Sequence, residues 1–173
     1  MNTQISAAQQ RRATTYFGGG TDVDNNTALN DTDLNSTASE GLLAELEEEL
    51  AMPDLSAKQL GEIGEQYAAA WLIQLGWHVL ARNWRTRFGE LDIIMMTPGH
   101  IVVFVEVKTR RTQRYGSPQE AITPHKQANL HHAGALWLAG PGKSIRRSGI
   151  RFDAMSILLQ GNRPSVRHIP GAF

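Results

Sequence analysis

The sequence predicts an α/β sandwich, a mixed central sheet with helices packed against it. Two observations predict it. First, residues 56–76 carry an apolar stripe at helical spacing, and two Ile- and Val-rich runs follow, Leu91–Met96 and Ile101–Val107, flanking the turn residues Thr97-Pro98-Gly99-His100. Second, a further helical segment and two more strand-like runs come after that hairpin, giving the order helix, strand, hairpin, helix, strand, strand. Within the hairpin, Asp92, Glu106 and Lys108 interrupt the apolar runs. Charge in a buried strand is costly unless it is paired, binds a metal or reaches water.

A chain of 173 residues fits one domain of ordinary size. It has no cysteine, so disulfides and thiolate zinc sites are excluded and a reducing cytoplasm is the expected setting. No apolar run reaches the length of a membrane span, and the N-terminus does not have the pattern of a signal peptide. The formal net charge of zero conceals a split: residues 1–55 hold ten acids and two bases, and residues 56–173 hold seven acids and fifteen bases. Such asymmetry suggests a nucleic-acid-binding body with an acidic tail, the alternative being a domain that is simply basic. The bases gather around the hairpin as Arg82, Arg85, Arg87, Lys108, Arg110, Arg111 and Arg114.

In chain order, residues 1–38 are expected to be disordered, being polar, Gly-rich and without sustained period. Residues 39–52 place Leu42, Leu43, Leu46 and Leu50 at helical spacing with Glu45, Glu47, Glu48 and Glu49 around them, and Pro53 ends the run. This reads as an acidic amphipathic helix, either a solvated linker or a segment that docks on the basic face. The expected division is thus a tail over 1–55 and a domain over 56–173. Ser56 and Gln59 fit a capping box, the stripe Leu60, Ile63, Tyr67, Trp71, Leu72 and Leu75 follows, and Gly76 is a helix end. The first strand is expected over Trp77–Arg85, with Val79 and Leu80 inward and Arg82 and Arg85 at its end.

A hairpin folded about Pro98-Gly99 sets Asp92 opposite Glu106 or one residue off. Opposed Cβ atoms lie roughly 5 Å apart, so the two carboxylates repel unless a divalent cation lies between them, and Mg²⁺ favours such oxygen ligands. Glu106 and Lys108 share a face by the strand period of two. Glu90 lies on Asp92's face and pairs with Arg87 or Arg110, or adds a ligand. After a basic loop, Ser117 and Pro118 read as the start of a helix running to about Leu138. His125, His131 and His132 have no recognisable metal spacing. Ile150–Leu159 and Val166–Ile169 read as strands, and Asp153 either orients a basic side chain or makes a structural pairing.

The pattern Asp92…Glu106-Val107-Lys108 resembles the PD-(D/E)XK nuclease superfamily. A longer ordered set of words resembles the bacterial YraN family more closely, over about residues 56–173: Gly64-Glu65, Arg82-Asn83, Gly89-Glu90-Leu91-Asp92, Phe104 to Arg110, Glu120-Ala121-Ile122 and Lys126. The resemblance implies a restriction-endonuclease-like sheet and metal-dependent cleavage of DNA phosphodiesters. By that resemblance Asp92 and Glu106 hold Mg²⁺ or Mn²⁺, Lys108 orients the attacking water or stabilises transition-state charge, and Glu65 matches a first-helix glutamate of the metal site. The alternative for Glu65 is a solvated helix carboxylate. Arg82, Arg85, Arg87, Arg110, Arg111, Arg114 and Lys126 are the expected nucleic-acid contacts. Analogy with the Holliday-junction resolvases of the superfamily points to branched DNA and leaves a homodimer open. The competing function is a non-catalytic nucleic-acid-binding module that keeps the fold.

Overall fold

The computed structural model describes residues 31–112, 123–161 and 163–173. The stretch expected to be disordered falls outside these residues up to residue 30. From Asp31 the chain is helical, and helix α1 runs Asp31–Ala51. Its leucine stripe is buried: Leu43, Leu46 and Leu50 are 8%, 3% and 0% exposed. That corrects the expectation of a solvated linker. The same spacing that marks an amphipathic helix also makes an apolar face, and here the core takes it up. Tyr67 adds a polar tie, its hydroxyl donating to Glu47 Oε1 at 2.8 Å. The compact unit accordingly spans Thr32–Phe173, so its boundary lies ahead of α1 rather than at residue 55.

Helix α2 spans Ala57–Gln74 and carries the expected capping box, with Ser56 and Gln59 each bonding the other's backbone amide. It ends at Leu75 and Gly76, whose φ of +78° suits glycine. Its buried face is Leu60, Gly64, Tyr67, Ala68, Ala69, Ala70 and Leu72, while Leu75 is exposed. Leu75 caps the helix after the last full turn and so falls off the stripe.

Five strands follow: β1 His78–Thr86, β2 Gly89–Met96, β3 Ile101–Arg110, β4 Gly149–Gln160 and β5 Arg163–Ile169. They form one sheet in sequence order, antiparallel throughout except for the parallel pair β3–β4. Helix α3, Pro124–Ala139, makes the connection that a parallel pair requires. Its N-cap is Thr123 with Pro124 in the first turn. The expected cap at Ser117 and Pro118 lies outside the described residues, and the described helix starts one Thr-Pro pair later.

The sheet is covered on both faces. Leucines of α1 and the buried face of α2 pack on Ile93, Met95, Val103, Val105, Met155 and Ile157. On the other face Leu130, Ala133 and Trp137 of α3 pack on Ile94, Met96, Val102, Phe104 and Ala154. Central strands clothed on both sides explain the near-continuous apolar runs of β2 and β3. No described helix is long and apolar enough to cross a membrane.

Candidate active site

The site lies where the β2–β3 ladder ends. Pairing runs from Met96↔Val102 to Ile93↔Val105, and the next step of that register sets Asp92 opposite Glu106. Thr97 shapes the turn that fixes the register, its Oγ1 accepting from the Ile101 amide at 3.1 Å and its carbonyl from the His100 amide at 2.9 Å. Beyond Ile93 a side chain replaces the ladder: Asp92 Oδ2 accepts the Val107 amide at 2.8 Å. One carboxylate oxygen is thereby anchored and the other is left for another partner.

Burial is the main reason that the Asp92 carboxyl is pushed up to about 8, with the Glu106 charge next and Glu65 adding, against the Val107 amide and Lys126. Glu106 is itself buried, at 8% exposure. Its Oε1 accepts from Lys126 Nζ, a partner from the first turn of α3 that the Thr123 cap orders. Lys126 is thus beside the carboxylates, where the sequence placed it among phosphate contacts. Nothing in the sequence gives the distance between residues 106 and 126; the match of Lys126 to a family word is the signal that marked it.

Glu65 reaches the neighbourhood through Gly64. A Cβ on Gly64 would lie 1.8 Å from Thr109 Oγ1 and 2.8 Å from Thr109 Cβ, so glycine lets α2 close onto the end of β3. Burial raises the Glu65 carboxyl; Arg82 opposes this, and Glu90, Glu62 and Glu106 reinforce it. Arg82 in turn is lowered by burial against the Glu65 charge, and its Nε is buried without a partner among the described residues. Arg82 therefore faces inward, away from the role of a surface phosphate contact.

The other expected residues divide plainly. Lys108 is exposed, two residues beyond Glu106. Arg85 is exposed and pairs with Glu90 at 3.2 Å, the partner the sequence had assigned to Arg87 or Arg110. Arg87 lies with its guanidinium 4.8 Å over the Phe88 ring. Arg110 is half-buried, and Arg111 donates to the Met52 carbonyl just past α1. Arg114 and Glu120 lie outside the described residues. Asp153 makes the structural pairing: Arg151 binds it through two hydrogen bonds of 2.7 and 2.8 Å, His168 at 2.8 Å and the Gly171 amide at 3.0 Å. Burial works to raise this carboxyl, and those bonds outweigh it and hold it below the usual range.

Two opposed carboxylates, one buried and one half-buried, suit a hard divalent cation, since Mg²⁺ is commonly held by one or two carboxylates with water or phosphate completing its shell. Among the described residues no three His, Cys, Asp or Glu side chains converge on one ion, so Glu65 stands beside the pair rather than within it.

A mixed sheet flanked by helices, with Asp92 and Glu106-Val107-Lys108 where the β2–β3 pairing ends, is consistent with a nuclease-like α/β fold. The model of the uncharacterised protein family UPF0102, which is the YraN family, matches residues 64–157, and the chain belongs to that family. A UPF0102 protein of Bifidobacterium longum (strain NCC 2705) is 55% identical over 120 residues, 69% of this chain and 97% of the relative. Others from Syntrophomonas wolfei and Pelobacter propionicus are 44% identical over 116 residues and 45% over 125, covering 67% and 71% of this chain and 98% and 86% of the relatives. The matched segment contains Glu65, Arg82, Asp92, Glu106, Lys108 and Lys126.

Proposed function

We propose that the protein binds DNA and is a metal-dependent endonuclease, with branched DNA the first substrate class to test. The observation that carries this reading is the Asp92–Glu106 pair: the next step of the β2–β3 register sets the two carboxylates opposite each other at the end of the ladder, and burial first, the Glu106 charge second, push the Asp92 carboxyl up to about 8. Lys126 contacts only Glu106 of the pair, and a divalent cation held between the two carboxylates would stabilise both.

Asp92 and Glu106 would hold Mg²⁺ or Mn²⁺. When bound, such an ion neutralises charge building on the phosphate and lowers the pKa of a coordinated water. The Val107 amide holds one Asp92 oxygen, and the other would serve the ion. Lys108 is exposed and shares the face of Glu106 by strand alternation, and its ammonium would orient water or bind a phosphate oxygen. Arg85 and Arg87 flank the β1–β2 turn and would grip phosphates, which supplies affinity and salt dependence without sequence preference.

One observation favours the second reading, a non-catalytic binding module: Lys126 already neutralises Glu106. The two readings separate on labelled linear, nicked, flap and four-way-junction DNA, incubated with Mg²⁺, Mn²⁺ or EDTA. The nuclease reading expects metal-dependent cutting that Glu106→Ala and Lys108→Ala abolish. Salt-sensitive binding without cutting on every substrate, persisting in Glu106→Ala, sinks it in favour of the module.

A further inference from the structure

We propose that Lys126 is the counter-ion of the carboxylate pair, and that it competes with a divalent cation for Glu106. The inference rests on the metal-site reading above and goes beyond it by assigning a residue that opposes the metal.

The geometry is specific. Glu106 Oε1 is the oxygen that the Lys126 ammonium contacts, and Glu106 is the carboxylate opposite Asp92. An ammonium on that oxygen and a divalent cation on the same carboxylate repel each other, so the ammonium in place weakens the cation's hold. The two claimants come from different elements. The carboxylates stand on strands at the end of the β2–β3 ladder, Asp92 held by the Val107 amide, whereas Lys126 sits at the start of α3 with its side chain 43% exposed. Four flexible methylenes let the ammonium swing aside into water at small cost, while the carboxylates stay put. Lys126 therefore does two things. It relieves the repulsion between Asp92 and Glu106 in the metal-free protein, and it sets a threshold that the cation must overcome. Once displaced, the ammonium remains beside the pair, where a phosphate would lie. That accounts for a lysine here rather than an arginine, whose planar, bidentate grip on a carboxylate is harder to displace.

The test is calorimetric titration of Mn²⁺ into the full chain, comparing wild type with Lys126→Met, Lys126→Arg and Glu106→Gln, alongside thermal melts of each metal-free protein. Lys126→Met is expected to bind Mn²⁺ about tenfold tighter, because a positive charge next to the ion has gone. Its metal-free form should melt lower than wild type, and Mn²⁺ should restore more of its stability. Lys126→Arg should bind no tighter than wild type, and Glu106→Gln should lose the site. Should Lys126→Met not fold, Lys126→Gln carries the same expectation. If wild type binds Mn²⁺ through Glu106 and the uncharged variants bind equally or more weakly, the counter-ion role is overturned while the metal site stands. If none of the proteins binds Mn²⁺, the metal-site reading and the inference fall together.

Discussion

Replacing Asp92 by Asn is expected to make the metal-free protein more stable and less sensitive to pH. The amide oxygen of Asn can still accept the Val107 amide bond of 2.8 Å, so the anchor survives and only the charge is removed. In the folded chain the Asp92 carboxyl titrates near 8, against an ordinary value of 3.8. The sign follows directly. Between those values the folded state holds more protons than the unfolded state, so wild-type stability falls as pH rises from about 4 to about 8 and levels off above. At about 1.4 kcal/mol per pH unit the ceiling is about 5–6 kcal/mol. Asp92 is half-buried rather than sealed, and Lys126 is mobile enough to follow the charge, so about 1–3 kcal/mol is the effective penalty at pH 8. Urea melts of wild type and Asp92→Asn at pH 5, 6, 7 and 8, with EDTA present, read this directly. The variant should be the more stable protein at pH 8, and the gap should shrink toward pH 5. Equal slopes, or a variant less stable at pH 8, would refute the idea that the pair strains the fold.

Three other substitutions probe the frame around the site. Leu50→Ala should cost about 2–5 kcal/mol in a urea melt, since Leu50 is fully buried in the core that α1 completes; a loss under about 0.5 kcal/mol would return α1 to a solvated segment. Gly64→Ala should cost about 1–3 kcal/mol by driving a methyl into Thr109, and Thr109→Ala should recover part of that loss in the double variant. Asp153→Ala should cost about 3–5 kcal/mol at neutral pH by orphaning Arg151 and His168. Because the Asp153 carboxyl is held below its ordinary value, its contribution is present above about pH 4 and is lost as pH falls further, so wild type and variant should converge in acid.

The elements were legible where one local rule decides them. Ser56 and Gln59 cap α2 through contacts three residues apart, and Thr97-Pro98-Gly99-His100 has turn chemistry, so the hairpin was legible and folding it about Pro98-Gly99 set Asp92 opposite Glu106 or one residue off. Where two local solutions compete, sequence alone does not choose. Ser117-Pro118 and Thr123-Pro124 offer the same cap chemistry, and the described helix uses the second. Burial was harder still. The leucines of α1 announce a helix, but whether such a stripe meets water or core depends on a surface that residues 60–72 and 103–159 build far along the chain. Arg82 and Lys126 show the same limit at the site. Both are basic residues near a basic face, yet packing buries Arg82 within reach of the Glu65 charge and sets Lys126 on Glu106, and neither arrangement is encoded in spacing.

If Asp92 and Glu106 form a metal-dependent phosphodiester-cleaving site, Asp92→Asn should lose cleavage while keeping the fold. A four-way junction labelled on one strand would be incubated with wild type or variant in Mg²⁺, after a melt has shown the variant folded. The account expects wild type to cut and the more stable variant to bind the junction without cutting it. Cutting by Asp92→Asn at the wild-type rate would contradict the account.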